Sequence, residues 1–385
     1  MDLELSGEDV AFRDELRTIF ADVPADIRAR MRAGHVTRDD IVASQRILNG
    51  HGVAVPHWPV EYGGRDWTPI QRHIYTNEIQ RAGVPEPLAF NTSMVGPVIA
   101  AFGSDEIKDR FLAKTANLDI WWSQGFSEPG AGSDLAGLKT TAVRDGDHYV
   151  VNGQKTWTTL GQYGEWMFLL ARTAPDAPKP QQGISFLLVD LDTPGIERRP
   201  IRLIDGSVEV NEFFFTDVRI PAENLVGEEN KGWTYAKFLL GNERNGITQV
   251  GTSQRHYADL VEMAATRSTG GRRVIDDPIF RNRLYDVKLR LKAVEATQLR
   301  VTASSADGKP SPVSSMLKIE GSRLLQEINA LAVEALGSDA AEILGESSGV
   351  YGDPVVEYLN NRKVSIYGGT NEVQANVIAK AILGL

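Results

Sequence analysis

The chain has no cysteine among its 385 residues. That excludes disulfides, thiolate nucleophiles, Cys-ligated zinc and Cys-held iron–sulfur clusters together. Histidine is scarce: the six residues at 35, 51, 57, 73, 148 and 256 show no H-x-x-x-H spacing, so a metal site is not expected. No apolar run approaches the ~18 residues of a membrane helix, which argues against a transmembrane span. An excess of positive charge is also missing. With 51 acidic and 41 basic residues the net charge is −10, which argues against nucleic acid as the main partner. A small anion is still allowed, since it needs only a local basic pocket or a helix N-terminus. The first residues, Met1 to Asp9, are acidic and lack the apolar core of a signal peptide. The expectation is a soluble cytoplasmic protein. No internal repeat and no low-complexity tract is present.

A chain of this length is long for one core, so two or three domains are expected. Three zones separate by pattern. Residues 1–118 read as helical: Ser6 and Asp9 form a candidate capping pair, and Phe12, Leu16, Ile19 and Phe20 recur at helical spacing. Breaks rich in Gly and Pro lie at Val53–Gly64 and Gly83–Pro87. Residues 119–229 turn to strands. Asp145-Gly146-Asp147 between Thr140–Arg144 and His148–Asn152 predicts a hairpin, and Trp166–Ala171, Ile184–Leu191 and Val210–Phe215 are further short β-rich runs. A small antiparallel barrel or sandwich is expected there. Residues 230–385 return to helix: Leu284, Val287, Leu291 and Val294 make one stripe, Leu317 to Leu336 another amphipathic run, and Ala303–Ser315 reads as a loop between them. The expected fold class is α+β, with an N-terminal helical domain, a middle antiparallel β domain and a C-terminal helical bundle.

One block carries most of the functional signal. It runs Phe126-Ser127-Glu128-Pro129-Gly130-Ala131-Gly132-Ser133-Asp134 and resumes at Asn152-Gly153-Gln154-Lys155-Thr156-Trp157-Thr158-Thr159. Gly130, Gly132 and Ser133 let backbone N–H groups approach a diphosphate, while Trp157 offers a stacking face and Ser127 and Thr159 offer hydroxyls. The same residues are equally compatible with a Gly-rich turn beside a core Trp. The spacing is not G-x-G-x-x-G, so a Rossmann dinucleotide site is not indicated.

This block, the helix–strand–helix order of nearly the whole chain and a second motif near the end resemble the acyl-CoA dehydrogenase family of flavoproteins. The second motif is Arg362-Lys363-Val364-Ser365-Ile366-Tyr367-Gly368-Gly369-Thr370-Asn371-Glu372-Val373-Gln374. The resemblance implies FAD as cofactor. It implies that Ser127, Trp157 and Thr159 line the flavin ring, that Ser133 contacts the diphosphate, that Thr370 and Glu372 lie near the cofactor, and that Arg267 serves the adenine side from a neighbouring subunit. It also implies an acyl-CoA substrate, an electron-transfer flavoprotein as electron acceptor, and a homotetramer or α2β2 heterotetramer, with no nucleic acid and no membrane partner. Four positions depart from the pattern. Gln124 replaces a common aromatic residue. Gly270 does the same on the adenine side. Glu334-Ala335-Leu336-Gly337-Ser338 stands where a Gln and a Gly-Gly pair are usual. Gly368 stands where many members carry the catalytic glutamate.

A proton α to a thioester carbonyl is weakly acidic, so its removal needs a desolvated carboxylate and a stabilised enolate. In a second family arrangement the glutamate precedes an Arg on the first long helix of the C-terminal domain. Glu243-Arg244 matches that pair, which implies Glu243 as base and Arg244 as a pantetheine contact. The backbone N–H of Gly368 remains a donor for the thioester oxygen. Read without the resemblance, Glu243 is a solvated helix residue. Gly345-Glu346-Ser347-Ser348-Gly349 matches G-x-S-x-G, but the residues before it read as a helix end rather than the buried strand a nucleophile elbow needs. The expected activity is α,β-dehydrogenation of an acyl-CoA to the trans-2-enoyl-CoA, in fatty acid or sterol side-chain β-oxidation. The alternatives are a non-catalytic or partner-dependent subunit of a heteromeric dehydrogenase, a flavin monooxygenase or nitroalkane oxidase on the same fold, and a helical binding protein.

Overall fold

The computed structural model describes residues 5–243, 249–304, 312–341 and 353–385. In chain order the helices and strands are α1 (Gly7–Ala21), α2 (Ala25–Arg32), α3 (Arg38–Gly50), α4 (Pro69–Ala82), α5 (Gly96–Phe102), α6 (Asp105–Ala116), β1 (Trp122–Gly125), β2 (Thr141–Asp145), β3 (His148–Thr159), β4 (Trp166–Arg172), β5 (Ile184–Asp190), β6 (Ile196–Arg202) and β7 (Val208–Pro221). There follow α7 (Gly232–Glu243), α8 (Val250–Thr266), β8 (Ser268–Thr269), β9 (Arg272–Arg273), α9 (Pro278–Ser304), α10 (Val313–Leu336), α11 (Pro354–Asn360) and α12 (Asn371–Ile378). The helix, strand, helix order is the one expected. The chain forms two compact units, one of residues 48–66 and 87–242, the other of 1–47, 67–86 and 243–385.

The first unit is built on a seven-stranded sheet ordered β1-β4-β2-β3-β7-β6, with β5 paired to β4. Most pairings are antiparallel, but β1 runs parallel to β4, and β2 meets β4 in parallel at Thr141 and Arg172. The expected hairpin is β2–β3, closed at Asp145 opposite His148, with Gly146 at φ 63° in its turn. Inward residues of β2 to β5 and β7, among them Tyr149, Val151, Leu169, Leu187 and Phe213, form one buried cluster. Asn91, fully buried in a π-helical turn ahead of α5, ties the helices to β1. Its Nδ2 donates to Thr115 O at 3.0 Å and Ile120 O at 2.7 Å, and its Oδ1 accepts from Trp122 N at 3.1 Å.

The second unit is helical. α1 starts at Ser6, whose Oγ accepts from Asp9 N at 3.1 Å, and it buries Leu16 and Phe20 against the rest of the unit. α4 packs on α1 and α8, and α10 packs on α8, α9, α11 and α12. The expected α9 stripe of Leu284, Val287, Leu291 and Val294 is buried in a core shared with Leu260, Leu324, Ile328 and Leu331. Most of the expected Ala303–Ser315 loop, and the whole Gly345–Gly349 motif, lie outside the described residues.

Candidate functional site

In the sheet unit the site grows from an irregularity in β3. Pairing with β7 shifts register once between Val151 and Gly153, holds to Lys155 opposite Phe213, and slips again before Thr158 opposite Asn211. Trp157 occupies the slip at φ 61°, a left-handed conformation that costs a non-glycine residue about 1–2 kcal/mol. The neighbours on either side enforce it. Thr156 and Thr158 are buried, Thr156 N donates to Ser127 O at 2.9 Å, and Thr158 Oγ1 donates to Gln124 O at 3.2 Å. The indole is turned outward, 58% exposed. A large apolar ring is thus held in an unfavourable backbone conformation and offered to solvent, which points to a ligand face rather than to the core.

The loop between β1 and β2 completes this half. Glu128 and Ala131 exchange backbone hydrogen bonds at 3.0 and 3.1 Å, making a tight turn. Beyond it, Gly130, Gly132 and Ser133 are exposed, and a Cβ added at either glycine would meet no atom within 4 Å. The fold does not require glycine there, and what glycine provides is uncovered backbone. The turn is fastened from below by a charged residue of β3. Lys155 is fully buried, and its Nζ donates to Glu128 Oε1 at 2.8 Å and Phe126 O at 3.1 Å. Glu128 accepts further bonds from Lys139 N at 2.6 Å and Thr140 N at 2.9 Å. Desolvation alone would raise the Glu128 carboxyl, but the charge of Lys155 and these hydrogen bonds outweigh it and hold the group below its ordinary range. Burial lowers Lys155 to about 8, against the pull of Glu128. Ser127 and Thr159 are half-buried.

The helical unit holds the other expected residues. Gly368 and Gly369 sit at φ 63° and 83°, a turn open to glycine and strained for other residues. Thr370 caps α12, its Oγ1 accepting from Val373 N at 3.2 Å, and Glu372 lies in the first turn, where its own backbone N–H and then Thr370 lower its carboxyl. Gln374, buried, reaches back to donate to Gly368 O at 3.1 Å. A polar stripe on α10 clamps this segment. Lys318 Nζ donates to Asn371 Oδ1 at 3.0 Å, Ser322 Oγ to the same oxygen at 3.2 Å, and Gln326 Nε2 to Asn361 O at 3.1 Å and Arg362 O at 3.2 Å. The spacing of four puts all three side chains on one helix face.

The structure therefore ties Ser127 to β3 next to Trp157, with Thr159 two residues on and exposed Ser133 farther along the Ser127 loop, and separately gathers Gly368, Thr370 and Glu372. Arg267 stands away from the latter group, at the C-terminus of α8, where it pairs with Asp339 at 2.6 Å. Gly270, the departure beside it, is one of two left-handed residues (φ 61° and 79°) closing the β8–β9 hairpin. Glu243 is the last residue of α7, and Arg244 lies outside the described residues. Lys155 was the missed residue with a readable signal. It follows Tyr149 and Val151 at even spacing on a strand, so its side chain falls on the core face and demands a counter-charge.

Family models for the acyl-CoA dehydrogenase N-terminal, middle and C-terminal domains match residues 6–119, 123–218 and 230–383. The chain is 38% identical to acyl-CoA dehydrogenase IpdE1 of Mycobacterium tuberculosis, over 88% of this chain and 86% of that protein. It is 35% identical to acyl-CoA dehydrogenase FadE26 of the same organism, over 100% and 99%. Among solved structures, a chain of the ChsE4-ChsE5 complex from Mycobacterium tuberculosis superposes with a TM-score of 0.86 at 35% identity, covering 100% and 99%. A chain of the Tcur3481-Tcur3483 steroid ACAD gives 0.88 at 29% identity, with the same coverage.

Proposed function

This chain belongs to the acyl-CoA dehydrogenase family, and from that membership we propose that it oxidises an acyl-CoA thioester to the trans-2-enoyl-CoA with FAD as its cofactor. The observation that carries the reading is Trp157, exposed and left-handed in a bulge anchored to Ser127, above a loop whose glycine backbone is uncovered. A flat aromatic cofactor with a diphosphate matches that pair of features. Ser127, Trp157 and Thr159 hold the ring, Ser133 contacts the diphosphate, and Thr370 and Glu372 are assigned near the cofactor. Arg267 serves the adenine of a neighbouring subunit.

A bound FAD supplies the acceptor for a hydride from the β carbon. The remaining work falls to the chain. The Glu243 carboxylate takes the α proton, the Gly368 N–H donates to the thioester oxygen as negative charge gathers there, and Arg244 holds the pantetheine arm. Leaving Gly368 without a side chain keeps that N–H uncovered, and the left-handed turn favours the glycine. Segments 1–118, 119–229 and 230–385 are the functional divisions we assign.

Two of the structural relatives are named as pairs of chains, which favours an α2β2 heterotetramer over a homotetramer here. One of those pairs is called a steroid ACAD, which favours sterol-derived over simple fatty acyl substrates. An electron-transfer flavoprotein takes up the electrons. The test is spectroscopic. The purified protein, with a co-expressed partner subunit where required, is yellow, and anaerobic acyl-CoA bleaches its visible band. A colourless protein under both conditions refutes the cofactor. Full-rate bleaching by Glu243→Gln refutes the base.

A further inference from the structure

A second cation clamps the loop that carries Ser133. Arg172, the last residue of β4, is half-buried and bonds only to backbone carbonyls. Its Nη2 donates to Ala136 O at 2.8 Å and to Leu138 O at 3.0 Å, its Nε to Leu138 O at 3.2 Å, and its Nη1 to Pro180 O at 3.0 Å. No carboxylate pairs with it among the described residues.

The two loop carbonyls transmit this clamp. In a trans peptide the C=O and the following N–H point in opposite directions, so a carbonyl drawn toward Arg172 aims its N–H away. The N–H that goes with Ala136 O is that of Gly137. It donates to Asp134 O at 3.1 Å and closes the 3₁₀ turn Leu135–Gly137, just past Ser133. The N–H that goes with Leu138 O is that of Lys139, which donates to Glu128 Oε2 at 2.6 Å. Glu128 Oε1 in turn accepts from Lys155 Nζ. Arg172 and Lys155 are thus joined through one peptide group and one carboxylate, each bond polarising the next. The segment they pin from its two ends contains Gly130, Gly132 and Ser133.

Charge distinguishes the two clamps. Lys155 is neutralised by Glu128, whereas carbonyls are neutral acceptors and leave the guanidinium its whole charge. That charge is felt inside the network: burial lowers the Lys155 ammonium most, Glu128 opposes, and Arg172 lowers it further. The loop's other charged side chains, Asp134 and Lys139, are exposed and opposite in sign. The loop and its clamps therefore keep an excess of positive charge. From Ser133 to Ala136 the chain extends at most about 11 Å, and a partly buried charge acts over such a span with less screening than an exposed one. A neutral ring gains little from it, whereas a diphosphate gains directly.

We propose that Arg172 is a positioning residue for the cofactor's diphosphate: it fixes the turn after Ser133 through the Ala136 and Leu138 carbonyls and supplies the uncompensated positive charge that the diphosphate meets. It acts through the loop. The proposal rests on the FAD reading above. The experiment measures FAD dissociation constants by flavin fluorescence in the deflavinated assembly, at about 50 mM and about 500 mM salt. Arg172→Gln is expected to raise the constant about tenfold or more at the lower salt, and by a smaller factor at the higher, where screening has already removed the share due to charge. Arg172→Lys keeps the charge but loses the planar fork, so it is expected to bind FAD several-fold more weakly than wild type with an unchanged salt dependence. An Arg172→Gln constant raised by the same factor at both salts overturns the proposal, since a general loosening of the fold would do that. A constant equal to wild type overturns it as well. Should Arg172→Gln fail to fold, Arg172→Lys decides: a constant equal to wild type, or a flattened salt dependence, overturns the proposal. A wild-type assembly that takes up no FAD removes the cofactor reading and this proposal together, whereas FAD binding indifferent to Arg172 removes this proposal only.

Discussion

The sheet unit and the helical unit secure their expected site residues by opposite means. Under the Glu128–Ala131 turn sits a full ion pair, Lys155 with Glu128, every carboxylate oxygen bonded and both side chains buried. Around Gly368 the fastening is almost entirely by neutral amides and hydroxyls, and the buried ammonium of Lys318 bonds an asparagine. A buried ion pair is stiff but intolerant of losing one partner, whereas neutral contacts are weaker singly and fail gradually. The contrast fits the division proposed above, with a ring held by the sheet unit and proton exchange assigned to the helical unit.

That division can be broken by substitution. The largest expected effect is in the chemistry: Glu243→Gln should lower the rate of flavin bleaching by about 10²–10⁴ while leaving the visible spectrum of the oxidised protein intact. A loss of flavin with the rate would place Glu243 among the holding residues instead. Next, Lys155→Met should destabilise the protein by about 3–5 kcal/mol, read by denaturant melts, because it strands the Glu128 carboxylate. The double variant Lys155→Met with Glu128→Gln should recover much of that loss, and recovery of none would show that the pair is not coupled. Lys318→Met should cost less, about 1–2 kcal/mol, since only one hydrogen bond to a neutral partner is removed.

A pH titration probes the helical unit alone. His256, half-buried on α8, has Asn329 Nδ2 of α10 at 3.4 Å from its Nδ1, and burial followed by the charge of Arg255 lowers it from 6.5 to about 3. Between those values the unfolded chain binds a proton that the folded chain refuses, so stability is full above pH 6.5 and falls as the pH drops toward 3. His256→Gln should flatten that limb in urea melts between pH 4 and pH 7, by the smallest margin of these four.

Much of the architecture was legible in the sequence because its signals are local. The Ser6 cap, the β2–β3 hairpin and the α9 stripe each follow from a few adjacent residues, and the structure has all three. The strands β1 and β6 were not foreseen. β6 reads Ile196-Glu-Arg-Arg-Pro-Ile-Arg202, charged and interrupted by Pro200, a composition that suits the sheet edge it occupies and hides it from a search for alternating apolar residues. β1 has only four residues and is defined by its parallel partner β4. In the site, residue types were readable but their fastenings were not. The bond from Thr156 to Ser127 spans 29 positions, and that from Lys318 to Asn371 spans 53. The bond from Thr252 N to Gln80 Oε1 depends on α4 meeting α8, some 170 residues along the chain. No pattern within either helix announces it.

Trp157 has one more consequence. Of the seven tryptophans it alone is exposed, the others being buried or half-buried. Its emission should be the red-shifted component of the protein's intrinsic fluorescence. A chromophore absorbing in the blue and near-ultraviolet, stacked against that indole, would extinguish this component first. The backbone distortion that turns the ring outward therefore gives the protein an internal optical gauge of how much of it is loaded.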